Sequence, residues 1–85
     1  MFVCVKIKYF GQFKEKTGVA EEEITLDEEI NSAYNALQAY LKAKYGIEHR
    51  YMIVLNNTHI QKALKENQNV SAGSVVRIIP YLSGG

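Results

Sequence analysis

The chain has 85 residues, and its ten lysines and arginines stand against nine aspartates and glutamates, for a formal net charge of +1. This length predicts one domain, and so balanced a charge gives no electrostatic indication that the protein binds nucleic acid. The single cysteine excludes an internal disulfide, and with the two histidines it matches no zinc-site spacing, so we expect no bound metal or cofactor.

Membrane insertion is not expected from this sequence. No apolar run approaches the length that spans a bilayer, and the N-terminal MFVCV is too short for the hydrophobic region of a signal peptide. A lone cysteine is typical of a reducing compartment. We therefore expect a cytoplasmic protein that contacts no membrane.

The first third of the chain predicts two strands. In residues 1–10, apolar residues alternate with polar or small ones, which indicates a strand with one buried face. Residues 11–18 are bounded by glycines and predict a loop or a single helical turn. Residues 21–26 then predict a second strand with Ile24 and Leu26 facing inward.

A helix is predicted next. Apolar residues from Ile30 to Tyr45 recur at intervals of three and four, which marks one apolar stripe on a helix of about fifteen residues. Asn31 or Ser32 is predicted to cap its start. Gly46 is predicted to end it in a left-handed conformation.

The remaining residues predict three strands and a long loop. Residues 51–55 (YMIVL) indicate a buried strand, residues 56–57 a tight turn, and residues 59–60 a short returning strand. Residues 62–73 show no period and predict an irregular loop before a last strand at 75–79. The predicted anchors of this loop are Ala63, Leu64 and Val70.

Together these elements predict an α+β fold. One main helix across one face of a mixed sheet of four to five strands would bury the apolar surfaces of both. Pro80 lacks an amide hydrogen, so it must lie at a strand end or an unpaired edge. We expect a domain over residues 1–81 and a flexible, extended tail over residues 82–85.

The C-terminus, YLSGG, is the candidate functional site. Two terminal glycines alone are a weak signal, because they also arise by chance or fit a flexible linker remnant. Here they follow a strand end, and glycine's missing Cβ permits close backbone approach in a narrow channel. The tip carries only the α-carboxylate of Gly85, which needs activation, commonly by ATP-dependent adenylation, before it can act as an acyl donor.

Three stretches of the sequence are VKIKYFGQFKEKTG, VLNN and AGSVVRIIPYLSGG. They resemble the MoaD/ThiS group of ubiquitin-like sulfur carriers, which have the β-grasp fold. Pro80 and the SGG terminus look more like the small subunit of molybdopterin synthase than like the thiamine-pathway carrier. Ser74, where an acidic residue is frequent, and Tyr81, where a second proline is common, depart from the pattern.

The resemblance implies a sulfur carrier that is no enzyme by itself. Gly85 would be adenylated by an E1-like ATP-dependent adenylyltransferase, and a persulfide donor would replace AMP to leave a C-terminal thiocarboxylate. Gly84 and Ser83 would thread into the large subunit of molybdopterin synthase, in a heterotetramer. There the thiocarboxylate would donate sulfur to a cyclic pterin precursor of the molybdenum or tungsten cofactor.

Partner binding is assigned to the residues before the glycines. Leu82, Tyr81 and Pro80 are predicted to contact partners, since apolar residues beside a functional tail are plausible anchors. Tyr81 fits the end of the core equally well.

Other functions stay open. The chain could carry sulfur for thiamine thiazole synthesis or tRNA thiolation, or it could be a ubiquitin-like modifier conjugated to lysine through Gly85. A plain binding domain with an incidental tail is a third possibility. Lys42, Lys44 and Arg50 could form a basic rim for an acidic partner, although helix charges are usually only solvated. Cys4 is predicted to be a buried or half-buried structural thiol.

Overall fold

The computed structural model describes residues 1–81, which form a five-stranded mixed sheet and three helices. The elements are β1 (Phe2–Tyr9), α1 (Gln12–Thr17), β2 (Glu21–Asp27), α2 (Ile30–Tyr45), β3 (Tyr51–Leu55), β4 (Thr58–His59), α3 (Ile60–Lys65) and β5 (Val75–Pro80). The strand order is β2-β1-β5-β3-β4. Neighbouring strands are antiparallel except β1 and β5, which are parallel. The predicted β-grasp fold is confirmed.

The core lies between α2 and one face of the sheet. The period-two pattern of β1 places every second side chain on that face, and the three- and four-residue spacing of α2 does the same for one side of the helix. The central strand β5 closes the middle of the core with Val76 and Ile78. The buried side chains of β1 and α2 are Val5, Ile7, Tyr9, Ile30, Ala33, Leu37 and Leu41.

Cys4 lies on the outer face of β1 and is exposed. Its thiol donates a hydrogen bond of 3.2 Å to the carboxylate of Glu23 on the neighbouring strand. The prediction of a buried or half-buried thiol is wrong, because strand alternation turns Cys4 to the same side as Lys6 and Lys8.

The residue that caps the start of α2 is not the one predicted. Glu29 is the N-cap, and its carboxylate accepts hydrogen bonds from the backbone amides of Asn31 (2.7 Å) and Ser32 (3.0 Å). Asn31 and Ser32 are therefore capped residues and not caps, because one carboxylate satisfies two amides that the helix leaves free. Gly46 ends the helix in the left-handed conformation (φ 69°), as predicted.

A short helix, α3, replaces the first part of the predicted loop. His59 caps it, with Nδ1 accepting a 3.2 Å hydrogen bond from the amide of Gln61. The helix buries Ile60 and Ala63 on one side. Six residues span less than two turns, which is too short for a helical period to be read from the sequence.

Candidate functional site

The parallel pairing of β1 and β5 brings the carboxyl ends of both strands to the same end of the sheet. Because β5 is the central strand, the chain leaves the sheet at Pro80 from the middle of that end. Tyr81 is the last described residue. The predicted site residues of the tail itself, Leu82, Ser83, Gly84 and Gly85, lie outside the described residues.

The described part of the site is the group of residues around the point where the tail leaves the domain. We call it the tail root and define it as Phe10, Gly11, Arg50, Pro80 and Tyr81. Each of its two flanks comes from a connection: the turn between β1 and α1 on one side, and the loop between α2 and β3 on the other. The following contacts position the tail root.

Pro80 ends β5 opposite Tyr51 of β3. A proline cannot donate to the sheet, so a central strand can hold one only where its ladder stops. The strand end predicted for Pro80 is confirmed, and β5 runs one residue further than predicted. Pro80 is half-buried.

Gly11 packs against the proline ring. Its φ is +56°, and a Cβ added to it would lie 3.0 Å from Cγ of Pro80. The adjacent amide of Phe10 donates a 3.1 Å hydrogen bond to the carbonyl of Ile78. Glycine is therefore favoured here twice, by the positive φ and by the close approach to Pro80.

Arg50 holds the other side of the tail root. Its carbonyl accepts a 3.3 Å hydrogen bond from the amide of Tyr81, the first residue after β5. Arg50 has a φ of +66°, which is uncommon for a residue other than glycine. A strained residue thus makes the last described backbone contact before the tail. Nothing in the local sequence indicated this conformation.

Two aromatic side chains are exposed at the tail root. Phe10 is 40% exposed and Tyr81 is 56% exposed. Tyr81 therefore does not finish the core, which was the alternative to partner binding. The sequence pattern does not single out Phe10, which follows the alternation of the first strand as its end. The parallel pairing of β1 with β5 brings its backbone beside the end of β5.

Two of the three residues of the predicted basic rim are held in ion pairs. Lys42 lies 3.6 Å from the carboxylate of Glu48, and Lys44 lies 3.3 Å from that of Glu22. Arg50 instead lines a cleft of about 320 Å³ between α1 and the α2–β3 loop, next to Lys16.

Three tyrosine hydroxyls converge on Glu22. Tyr9, Tyr45 and Tyr40 donate hydrogen bonds of 2.6, 2.7 and 2.9 Å to its carboxylate, and Lys44 adds one of 3.3 Å. Partial burial would raise the pKa of Glu22, but these four donors favour the ionised form and lower it to about 2. Burial, together with the bond to Glu22, raises the pKa of Tyr9. This cluster joins β1, β2 and α2.

Metal-binding side chains do not gather in the described structure. Within residues 1–81, no three or more His, Cys, Asp or Glu side chains lie close enough to hold a metal ion. None of the three helices there is long and apolar enough to cross a membrane.

Several solved structures have similar folds. The small archaeal modifier protein 1 from Methanosarcina acetivorans has a TM-score of 0.68 and 20% identity, with 100% of this chain and 99% of that chain covered. The putative molybdopterin converting factor, subunit 1, from Pyrococcus furiosus has a TM-score of 0.66 and 24% identity, with 94% and 99% covered. At such identities the likeness shows the fold alone.

A third similar structure is the small archaeal modifier protein 1 from Haloferax volcanii. Its TM-score is 0.64 at 17% identity, with 96% of this chain and 99% of that chain covered. The comparison with curated protein sequences gives no match. The ThiS family model matches residues 7–85, a span that includes the whole tail root and the terminal glycines. The chain belongs to the ThiS family.

Proposed function

We propose that this ThiS-family protein is a sulfur carrier and serves as the small subunit of a molybdopterin synthase. The observation that carries the proposal is the family match through Gly85, combined with a tail that leaves the central strand at Pro80. Proteins of this kind are generally carriers without catalytic activity of their own. The reactive group in the proposal is the terminal carboxylate and not a side chain.

Sulfur loading would take place in two stages, activation of the carboxylate and then transfer of sulfur to it. The carboxylate of Gly85 attacks the α-phosphate of ATP on an E1-like enzyme, which releases pyrophosphate and forms an acyl-adenylate. The terminal sulfur of a persulfide then attacks the acyl carbon, and AMP leaves. A thiol cleaves the resulting acyl disulfide and leaves a C-terminal thiocarboxylate. In this scheme, Gly84 and Ser83 let the tail enter narrow active sites, because their side chains are absent or small.

The described residues support this role by fixing where the tail starts. Gly11 packs on Pro80, and Arg50 accepts a hydrogen bond from Tyr81, so the tail leaves from a defined point. Exposed Phe10 and Tyr81 offer apolar contact beside that point, with Leu82 next in the chain. In the proposal these three side chains dock on the activating enzyme and on the large synthase subunit.

The second candidate is a ubiquitin-like protein modifier. The similar structures named small archaeal modifier proteins favour it, since they share the fold over nearly the whole chain. A modifier uses the same adenylated Gly85 but transfers it to the amine of a target lysine. The two candidates therefore differ in the acceptor and not in the activation step.

Transfer from the loaded carrier separates the two candidates. Carrier with a C-terminal thiocarboxylate is mixed with a large molybdopterin synthase subunit and the cyclic pterin precursor, and the dithiolene product is measured. We expect sulfur to pass to the pterin, and a Gly85 deletion to pass none. Cell extracts that instead show a ladder of covalent adducts lost on Gly85 deletion, with no transfer to pterin, would support the modifier.

A further inference from the structure

A cleft beside the tail root is lined by two cationic side chains, Lys16 and Arg50, and by one carboxylate, Glu48. It lies between α1 and the α2–β3 loop, has a volume of about 320 Å³, and is lined by the exposed side chains of Lys16, His49 and Arg50. Two buried apolar residues, Phe13 and Ile47, also line it. We call it the basic cleft.

The cations of the basic cleft have no acidic partner in the described chain. Among residues 1–81, neither Lys16 nor Arg50 takes part in an ion pair. The carboxylate that lines the cleft, Glu48, lies 3.6 Å from the ammonium group of Lys42, which offsets its charge. Lys16 and Arg50 are therefore available to pair with a carboxylate of another molecule.

The basic cleft shares one residue, Arg50, with the tail root. The side chain of Arg50 lines the cleft, while its carbonyl accepts the hydrogen bond from the amide of Tyr81. Arg50 makes both contacts with a φ of +66°, a conformation that residues other than glycine rarely adopt. A ligand in the cleft would therefore lie next to the point where the tail leaves the domain.

We propose that the basic cleft binds an acidic peptide segment of the protein that activates the C-terminal tail. An aspartate or glutamate of that segment pairs with Lys16 and Arg50, because a guanidinium group can hold a carboxylate through two parallel hydrogen bonds. A cleft of about 320 Å³ has room for a few side chains and not for a folded domain.

This contact gives the proposed carrier function a docking step. The inference rests on the proposed function for the identity of the partner, but not for the chemistry of the ligand. Opposite charges on two surfaces speed their encounter and fix the orientation of the complex. An acidic segment held beside Arg50 would orient the domain so that the tail points into the activating enzyme.

The direct test uses two peptides and the isotope-labelled full chain. A hexapeptide of alternating Asp and Leu is titrated while the backbone amide signals are followed by NMR, and a peptide of alternating Asn and Leu is the control. We expect shifts at Lys16, His49 and Arg50 with the acidic peptide alone. Absence of shifts there would overturn the proposal, as would equal shifts with inorganic phosphate, which would indicate simple anion binding.

Matched variants test the docking step. Lys16→Gln with Arg50→Asn removes two charges and keeps a residue type that tolerates a positive φ. Lys62→Gln with Lys65→Gln removes two charges from α3. In loading by an E1-like enzyme, the cleft variant should raise the KM for the carrier about tenfold and leave kcat unchanged, because each lost surface ion pair weakens binding only modestly. The α3 variant should behave as wild type.

The outcomes separate this inference from the proposed function. Loss of peptide shifts and a raised KM in the cleft variant, with a normal α3 variant, supports both. Normal loading by the cleft variant overturns the docking step while the carrier function stands. Peptide shifts at the cleft in a wild-type protein that is never loaded would support the acidic ligand and refute the carrier function.

Discussion

The hydroxyl of Tyr9 donates a 2.6 Å hydrogen bond to the carboxylate of Glu22, which sits between strand β2 and helix α2. Tyr9 is a core residue, only 3% exposed, so its hydroxyl depends on a partner within the protein. Glu22 supplies that partner and binds two tyrosines of α2 as well. One carboxylate thus ties the helix to the edge of the sheet.

Removing this carboxylate should destabilise the domain. In Glu22→Ala, the buried hydroxyl of Tyr9 loses its partner, and we expect the free energy of unfolding to fall by about 2–3 kcal/mol. Glu23→Ala, at an exposed position of the same strand, should change it by less than about 0.5 kcal/mol. Urea denaturation of both variants measures the difference. Equal small losses would contradict the role given to Glu22.

The same contact predicts a dependence of stability on pH. The folded-state pKa of Glu22 is about 2, below its ordinary value of 4.5. Because the folded-state pKa is the lower one, the contribution is complete above about pH 4.5 and is lost as pH falls toward 2. The stability gap between wild type and Glu22→Gln, measured by denaturation, should therefore narrow from pH 6 to pH 2. A gap that stays constant over this range would refute the assignment.

Gly11 lies in the tail root, and Gly18, at the other end of α1, is the comparison position for a substitution there. Both have a positive φ, but only at Gly11 would a Cβ meet another group, Cγ of Pro80 at 3.0 Å. Gly18→Ala should cost about 1 kcal/mol from backbone strain. Gly11→Ala should cost more, because the ψ of −133° at Gly11 lies outside the left-handed region that alanine can enter and because Pro80 must also move. Thermal denaturation tests the order, and equal costs would show that neither feature matters.

The exposed aromatics of the tail root should matter for partners and not for folding. Phe10→Ala and Tyr81→Ala are each expected to change the free energy of unfolding by less than about 0.5 kcal/mol and to raise the KM for loading by the activating enzyme. Val19, also 40% exposed but in the α1–β2 connection, gives the control variant Val19→Ala. Enzyme kinetics on the three variants would count against the docking role if the KM were the same in all.

Most of the fold could be predicted because the main elements have strong periods. β1 alternates over eight residues and α2 repeats over sixteen, so each pattern identifies both the element and its buried face. α3 was missed because six residues carry less than two helical turns. The cap of α2 was missed because glutamate is an uncommon cap, and its geometry here depends on where the chain enters the helix.

The tail root could be predicted only in part. The strand end at Pro80 follows from a missing amide hydrogen, which is a property of the residue itself. Gly11, Arg50 and Phe10 lie far in sequence from the end of β5, and they meet it only because β1 and β5 are parallel and β3 lies beside β5. Contacts of this kind depend on the strand order, which no local pattern in the chain specifies.

The central claim is that Gly85 carries sulfur, and intact mass spectrometry tests it most directly. The protein is incubated with ATP, an E1-like activating enzyme, a persulfide donor and a thiol that cleaves the acyl disulfide, beside a variant that lacks Gly85. We predict that the full chain gains the mass of one sulfur in place of one oxygen and that the variant, equally folded, gains nothing. A full chain whose mass stays unchanged with a competent enzyme, or a variant that gains the same mass, would contradict it.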